Sequence, residues 1–553
     1  MWFGGSVSVM NPPPRPQNSH LVHPGTHGTW VSPEWPTSEQ LFSACHGDRR
    51  VAVFGPCGVS DAQLHRLAVE EIPDDIAWRW PGSYTVVRLL PEQTTVWTDL
   101  GWSWPIYTTT DGDATVWASS ALLLASLKGC LPDLEQLRAR LQGPTAAEAI
   151  VERSYFTGVE RVPPGHRLTI DNDGHVHMTS VWKPDVFTGS LTTALRTELD
   201  NAVNVRLDAG IPVSSDLSGG FDSTAVTLIA GKRLWTRGDS VLGMTAHPEG
   251  VRHGGDLDFA REAGRGRGVH HVWLPMGLED APYQRMDTLP PTDEPPPSAV
   301  SHAYLTKQLR WSRQRYGRLL HMTGDGGDGL FLTRPAHLID LARQGMLWQA
   351  VKETALWAHV RQSSWSTVIK EALAPSSESL HTRFELRTGN QQATMNALLA
   401  AGRTARADGQ LARTCGVDLH NPYFDSRLIN LCLSVPSRRL PGPARYKPIM
   451  AKAMRDLFPA NLTGRTTKGD ACPDHFGGLR RALPDIRRLM RGHLADLGLL
   501  DPEHFDGLLT ETAAGIHSQI HPVEAAVSLE AWLCALDRHT PTSWTRHSVG
   551  EHI

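Results

Sequence analysis

The sequence has no surplus of positive charge, no paired cysteines and no long hydrophobic run. Its 54 Lys and Arg against 58 Asp and Glu give a formal net charge of −4, which argues against a large sequence-independent nucleic-acid surface. No apolar run reaches the length of a membrane helix, and the first residues lack the basic and apolar regions of a signal peptide. We therefore expect a cytoplasmic protein with neither a nucleic-acid nor a membrane partner.

The seven cysteines are too scattered to form a disulfide framework. They include no C-x-x-C pair, and their number is odd. This usage is typical of buried thiols in a reducing compartment and predicts no zinc site. Their positions are 45, 57, 130, 415, 432, 472 and 534.

The first part of the chain has the pattern of a β-rich domain. Residues 1–30 are rich in Pro, Gly and His and predict loops. Between residues 50 and 120, short segments rich in Val, Thr and aromatic residues are separated by Gly, Pro or Asp, which is typical of strands. Two helical segments follow, and 159–182 predicts a hairpin with Asn-Asp-Gly at its turn. We expect residues 1–185 to form one domain.

The pattern changes near residue 190, where apolar residues begin to recur at helical spacing. Strand-like segments at 211–217, 240–247, 270–275 and 318–324 then alternate with helical ones, which predicts a parallel sheet. Residues 335–540 predict mostly helices, and the Pro-rich stretch 290–300 is either an active-site rim or a stiff connection. The expected fold class is α/β combined with α+β, with an α/β domain and its helical extension over residues 186–553.

The stretch VSSDLSGGFDSTAVTLIA, residues 213–230, places two glycines and a carboxylate between a predicted strand and a predicted helix. Parallel sheets bind ligands at the carboxyl ends of strands, and a helix that begins near Asp222 offers free backbone N–H groups there. Gly219 and Gly220 allow a ligand to approach closely, so the loop suits phosphate or pyrophosphate. Asp222 makes sense there as a ligand of a Mg²⁺ ion that bridges phosphates. An ordinary N-cap after a glycine turn accounts for the same residues equally well.

A second loop repeats this arrangement. In RLLHMTGDGGDGLF, residues 318–331, a predicted strand is followed by glycines and aspartates and then by an apolar segment. Two such loops at strand ends of one sheet can face each other across a cleft, where Asp222 and Asp328 would share metal ions. Either loop alone is a weak signal, whereas the pair predicts a nucleotide site.

Together these motifs resemble the asparagine synthetase superfamily. S-G-G-F-D-S is similar to the loop of the ATP pyrophosphatase group, and T-G-D-G-G-D follows it at 323–328. The resemblance covers nearly the whole chain, because the first domain looks like the superfamily's Ntn-type glutamine amidotransferase domain and 420–436 looks like its P-F-L-D segment. It implies an enzyme that uses ATP and Mg²⁺ to activate a carboxylate as an acyl-adenylate and passes it to an amine. The stretch 446–470 looks like the region with the catalytic lysine, which makes Lys468 the first candidate and Lys447 the second.

Two positions depart from the superfamily's pattern. A working amidotransferase domain of this kind needs Cys as residue 2, and this chain has Trp2. The resemblance therefore implies an inactive first domain that supplies no ammonia, so that the nitrogen comes from the substrate. Gly329 stands where asparagine synthetases tend to carry Glu, which argues against their small-amino-acid pocket.

Two branches that lack this cysteine join a substrate's own amine to its own carboxylate: the β-lactam synthetases and the lasso peptide cyclases. The chain length, the trimmed front of the first domain, the D-E-P loop at 293–296 and Asp325 in place of a Tyr favour a cyclase. Its partners would be a precursor peptide, a leader-binding protein and a leader peptidase. A β-lactam-forming or asparagine-forming enzyme, a non-catalytic scaffold and a tRNA-modifying pyrophosphatase are the alternatives.

The resemblance also implies roles for individual residues. ATP would lie with its adenine near the strand end SVLGMT and its phosphates over 218–224. Lys468 would stabilise negative charge, and Asp325 would take the ammonium proton or position the amine, although the two residues also suit a solvated loop and a turn. The residues expected to bind ATP or pyrophosphate are Leu217, Ser218, Gly219, Gly220, Asp222, Ser223, Thr224, Met244 and Gly324.

Overall fold

Two six-stranded antiparallel sheets form the first third of the protein. The structure is a computed structural model that describes residues 1–8, 13–24, 27–35, 40–143, 153–373, 386–466, 469, 472–516 and 520–546. In chain order the strands are β1 Phe3–Ser8, β2 Arg15–Pro16, β3 His20–His23, β4 His27–Val31, β5 Leu41–His46, β6 Arg49–Phe54, β7 Thr85–Leu90, β8 Gln93–Trp97, β9 Ile106–Asp111, β10 Ala114–Ala118, β11 Glu160–Val162, β12 His166–Asp171 and β13 Val176–Ser180. The sheet orders are β11-β9-β10-β1-β4-β3 and β13-β12-β8-β7-β6-β5.

The two sheets pack face to face around one apolar core. Phe3 of β1 and Phe54 of β6 stack across it with ring centroids 4.1 Å apart. The strands predicted between residues 50 and 120 are confirmed as β6 to β10, and the predicted helices as α2 Ala121–Ala125 and α3 Leu134–Gln142. A further helix, α1 Asp61–Val69, covers the outer face of the second sheet through Leu64 and Leu67.

The prediction of loops over residues 1–30 is wrong, because β1, β3 and β4 lie there. Gly4 and Gly5 are inside β1, where a Cβ atom would collide with the rings of Trp30 and Trp117, respectively. Glycine serves here to let tryptophan rings approach a strand closely, so its usual meaning as a turn residue is misleading.

A five-stranded parallel sheet forms the centre of the second part of the chain. Its strands are β14 Val213–Asp216, β15 Val241–Pro248, β16 Val269–Met276, β17 Leu319–Met322 and β18 Val417–His420, in the order β16-β15-β14-β17-β18. The helices between them are α4 Leu191–Leu207, α5 Phe221–Trp235, α6 Asp256–Ala263, α7 His302–Tyr316 and α8 Gly327–Phe331. The predicted alternation of strands and helices is confirmed.

The rest of the chain is mostly helical, as predicted, except for β18, which the sequence pattern does not predict. The helices are α9 Ala336–Arg343, α10 Leu347–Val360, α11 Trp365–Leu373, α12 Gly389–Thr414, α13 Ser426–Leu433, α14 Pro448–Ala453, α15 Ala460–Thr463, α16 Cys472–Leu489, α17 His493–Asp496, α18 Pro502–Ala513 and α19 His521–Asp537. A last strand, β19 Trp544–Thr545, pairs with β2. No helix in the described parts of the chain has both the length and the apolar character needed to cross a membrane.

The two parts of the chain share buried contacts. The largest core joins Trp30 and Tyr107 of the first part to Trp532 of α19. The Pro-rich stretch 290–300 carries buried Glu294, which pairs with Arg161 of the first part. This stretch is therefore a buried connection between the two parts, and none of its residues lines the cavity described below.

Candidate active site

The two glycine-rich loops meet at one edge of the parallel sheet. β14 and β17 are hydrogen-bonded neighbours that run parallel, with Ser215 opposite Met322, so their carboxyl ends lie side by side. A Cβ on Gly324 would lie 2.6 Å from the Ser223 nitrogen, and a Cβ on Gly327 would collide with the Asp222 carboxylate. The glycines of the second loop thus allow it to approach the N-terminus of α5.

Hydrogen bonds hold the first loop in a tight turn. Gly219 has φ +83°, and a Cβ there would collide with the carbonyl oxygen of Asp256. The Gly220 nitrogen donates to Ser218 Oγ at 3.3 Å, and Ser218 Oγ lies 2.8 Å from Ser223 Oγ. The turn precedes α5, whose first backbone N–H groups have no partner within the helix. This is the backbone geometry that suits a phosphate group.

Lys447 joins the two loops electrostatically. Its Nζ contacts the Asp222 carboxylate and lies 2.6 Å from Asp328 Oδ1. The side chain is completely buried, and the residue adopts φ +40° at the start of α14. The second candidate for the catalytic lysine is therefore in the site, whereas Lys468, the first candidate, lies outside the described residues.

The same two carboxylates fit a divalent cation. Asp222 and Asp328 come from opposite loops and converge on one positive charge. Carboxylate oxygens are the protein ligands that Mg²⁺ prefers, usually together with phosphate oxygens. Asp222 and Asp328 would hold the ion, which supplies charge neutralisation at the phosphates.

A cavity of about 370 Å³ opens between the loops. Its lining residues are Asp216, Ser218, Gly220, Asp222, Ser223, Gly324, Asp325, Gly326, Asp328, Gly329, Ala401, Thr404 and Tyr446. Four residues expected to bind ATP are absent from this lining: Leu217, Gly219, Thr224 and Met244. Leu217 and Thr224 are buried, and the Leu217 nitrogen donates to the Met244 carbonyl at 2.7 Å, so they hold the loop on the sheet.

Asp325 lies in the cavity as a constrained carboxyl group. It accepts a hydrogen bond from Thr323 Oγ1 at 2.7 Å, and Asn421 Nδ2 lies 3.4 Å away. Burial raises the pKa of its carboxyl group, and the nearby charges of Asp216 and Asp222 raise it further. A carboxyl group with a raised pKa is suited to accept a proton from an amine.

The structure adds residues that sequence reasoning missed. Asp216 lines the cavity, accepts a hydrogen bond from Gln308 Nε2 at 2.6 Å and lies 3.1 Å from His321 Nε2. Its position at a strand end, two residues before Ser218 of the S-G-G motif, is the available signal.

Arg465 is a second residue that the sequence reasoning missed, and it binds the backbone of the first loop. Its Nη1 donates to the Gly219 carbonyl at 2.7 Å, and its other nitrogen contacts Asp256. It lies in the same GRTTKGD stretch as Lys468, and the motif in this stretch points only to the lysine.

Trp2 lies in the first part of the chain, at the position expected for a nucleophilic thiol. The Trp2 ring packs edge-on against the Trp30 ring, with centroids 5.5 Å apart. The backbone nitrogen of Trp2 donates to Ser32 Oγ at 3.3 Å. Residue 2 is thus an apolar packing group directly before β1.

Solved structures with partial likeness include a glutamine phosphoribosylpyrophosphate amidotransferase from Bacillus subtilis complexed with ADP and GMP. It shares 13% identity over 49% of this chain and 75% of that chain, with a TM-score of 0.20. An allosteric regulatory enzyme of purine biosynthesis shares 12% identity over 49% and 74%, with a TM-score of 0.18. These TM-scores are too low to relate the folds.

Sequence comparison gives the family. Asparagine synthetase [glutamine-hydrolyzing] 1 of Bacillus subtilis (strain 168) is 24% identical over 239 residues, which are 41% of this chain and 35% of the relative. The match thus spans about a third of the relative's length. The asparagine synthase family model matches residues 194–534, more than half of the chain, including both loops and Lys447. The protein therefore belongs to the asparagine synthase family.

Proposed function

We propose that the protein is an ATP-dependent, AMP-forming carbon–nitrogen ligase of the lasso peptide cyclase type. It joins the N-terminal amine of a precursor peptide to an Asp or Glu side chain of the same peptide. The observation that carries this proposal is the cavity, whose lining combines Asp222 and Asp328, both paired with the buried Lys447, with small residues such as Gly329 and Ala401.

The charges around the cavity favour a peptide over a free amino acid. Of the described lining residues, four are aspartates and none is Lys or Arg. Free aspartate would bring an α-carboxylate with no cation in this lining to receive it. A peptide residue has a neutral backbone beside its reacting side-chain carboxylate, because the α-carboxylate of the peptide stands only at its C-terminus.

The residue at position 2 supports a substrate that carries its own nitrogen. Trp2 offers no thiol for attack on glutamine, so we propose that the first part of the chain is an inactive amidotransferase-like domain that supplies no ammonia. A leader-binding protein and a leader peptidase would act with the enzyme in the cytoplasm.

The reaction balances in two steps. The peptide carboxylate bonds to the α-phosphorus of ATP while pyrophosphate leaves, and the amine then bonds to the acyl carbon while AMP and a proton leave. The backbone N–H groups at the start of α5 and the buried ammonium of Lys447 stabilise charge on the phosphates. Asp325 accepts the proton that the amine releases.

Mass spectrometry on one reaction tests the proposal. The protein is incubated with ATP, Mg²⁺ and a synthetic peptide with an N-terminal Gly and an Asp or Glu seven to nine residues on, and Asp222→Ala is the control. We expect the peptide to lose one water and AMP to form, with no reaction in the control. AMP formed only with small amino acids would favour a small-molecule amide synthetase. No AMP with either the peptide or small amino acids would favour a non-catalytic scaffold.

A further inference from the structure

A second, smaller cavity lies between the two parts of the chain and is lined by cations. Its volume is about 50 Å³. The first part contributes Ser83 and Trp104, and the second contributes Arg206, Arg406, Arg413 and His420. No Asp or Glu is among the lining residues. The cavity therefore concentrates positive charge in the interior of the protein.

Arg206 is buried without an ion pair in the described part of the chain. It is 2% exposed, and it donates to the Ala202 carbonyl and, at 2.8 Å, to Ser83 Oγ. Its Nε has no hydrogen-bond partner there, and the charge of Asp425 acts on it from beyond ion-pair distance. Burial lowers the pKa of this guanidinium to about 10, so it remains charged at neutral pH.

Arg406 and Arg413 add two further charges close to each other. Their guanidinium carbons lie 5.4 and 5.3 Å, respectively, from the Trp104 ring centroid. The Nε atoms of both have no hydrogen-bond partner among the described residues. Arg406 pairs with Asp293 at 3.5 Å, whereas Arg413 has no ion pair among the described residues and the charges of Asp418 and Asp293 act on it from farther away.

His420 adds no negative charge to balance them. Burial, together with the charges of Arg206 and Arg413, keeps the pKa of its ring far below the ordinary value, so the ring is neutral. A charge without a close partner in a protein interior is unfavourable, and a counter-charge in contact with it offsets the loss of hydration.

We propose that this cavity binds a small monovalent inorganic anion, held by Arg206, Arg406 and Arg413. The volume exceeds the roughly 10–15 Å³ that one water needs, and it suits a halide with a water molecule. The site would couple the two parts of the chain, because Trp104 and Ser83 come from one part and the arginines from the other. Asn421, which also lines this cavity, lies 3.4 Å from the Asp325 carboxylate. A single side chain therefore separates the anion site from the candidate active site.

Two measurements on the full chain test this site. A crystal soaked in sodium bromide should show an anomalous peak in the cavity between the three guanidinium groups. The thermal unfolding midpoint should be higher in sodium chloride than in sodium gluconate of equal ionic strength, by about 1 °C for each tenfold rise in chloride once the site is saturated.

Variants separate the site from general salt effects. Arg413→Met should abolish the difference between chloride and gluconate, while Arg315→Met, which removes an exposed arginine on α7, should keep it. Bromide only at surface positions, or equal midpoints in both salts for the wild type, would overturn the proposal. If Arg413→Met does not fold, the bromide peak and the wild-type midpoints still decide.

Discussion

Lys447 is the residue on which the two loops depend most directly. It is completely buried and pairs with both Asp222 and Asp328, so Lys447→Met leaves two carboxylates without their cation. We expect ATP–pyrophosphate exchange, which requires only carboxylate activation, to fall by about 100-fold or more. Lys452→Met, on the exposed side of the same helix, is the control and should retain activity. Equal activity of the two variants would contradict a role for Lys447 at the phosphates.

Asp216 should bind the ammonium group of the substrate, whereas Asp325 accepts the proton that this group releases. The α-amine of a peptide is largely an ammonium ion at pH 7, and Asp216 is a carboxylate in the cavity held by Gln308 and His321. Asp216→Asn should therefore lower macrolactam formation by about 100-fold but leave ATP–pyrophosphate exchange nearly unchanged.

Hydroxylamine gives the matched measurement for Asp216. Hydroxylamine is uncharged at neutral pH, so it does not need a carboxylate to bind it before it attacks an acyl-adenylate. The Asp216→Asn variant should thus still form hydroxamate, and Asp216→Glu should recover part of the cyclisation. Loss of exchange and hydroxamate together with cyclisation would show that Asp216 serves activation or folding instead.

Asp99 links stability to pH. It is buried and accepts a hydrogen bond from the Ser103 nitrogen at 2.9 Å. Burial raises the pKa of its carboxyl group from 3.8 to about 6. The folded state therefore binds the proton of the Asp99 carboxyl group more tightly than the unfolded state does. The contribution of protonated Asp99 to the free energy of unfolding is complete below about pH 4 and is lost as the pH rises through about 6.

From pH 5 to pH 7.5, the wild type should therefore lose about 1 kcal/mol in free energy of unfolding relative to Asp99→Asn. Urea unfolding of both proteins at the two pH values measures this difference. A difference that stays constant between the two pH values would mean that Asp99 titrates in the same range folded and unfolded.

At the scale of elements, Gly219 shapes the loop before α5. Its φ of +83° and the nearby Asp256 carbonyl both disfavour a Cβ, so Gly219→Ala should displace the loop from Arg465. Gly250 has a similar φ of +81° but nothing within 4 Å of its Cβ position, which makes Gly250→Ala a matched control.

We expect Gly219→Ala to reduce ATP–pyrophosphate exchange strongly, because the backbone N–H groups that face the phosphates move. Gly250→Ala should cost only the strain of a positive φ, about 1 kcal/mol, and keep its activity. Thermal unfolding and exchange assays on both variants compare the two effects. Equal loss of activity in both would mean that backbone strain alone, and not the collision with Asp256, governs the loop.

The elements around the site differ in how far the sequence predicts them. The two loops and the alternation of strands and helices were predictable, because each is a local pattern of glycine, carboxylate and apolar residues. The four residues of β18 carry too short a pattern, and the glycines of β1 signal a loop although they serve tryptophan packing. The contact between Lys447 and Asp222 joins residues 225 positions apart, which no local pattern reveals. Only the family resemblance points to Lys447.

At the scale of the whole molecule, the two parts of the chain are expected to fold as one unit. Trp532 of α19 is fully buried, and its ring centroid lies 5.6 Å from that of Phe156 and 5.9 Å from that of Tyr155. Its Nε1 donates to the Thr292 carbonyl at 3.0 Å. A fragment that begins at residue 186 would lose both aromatic partners and expose a contiguous apolar surface.

We therefore expect the fragment 186–553 to aggregate and to lack ATP–pyrophosphate exchange. In the full chain, Phe156→Ala should lower the free energy of unfolding by about 3–5 kcal/mol, since a fully buried aromatic ring is removed from the shared core. Sedimentation of the fragment and urea unfolding of the variant are the two measurements. A soluble fragment with full exchange activity would show that the first part of the chain is dispensable for the fold of the second, and the shared core would then serve only to orient the two parts around the substrate.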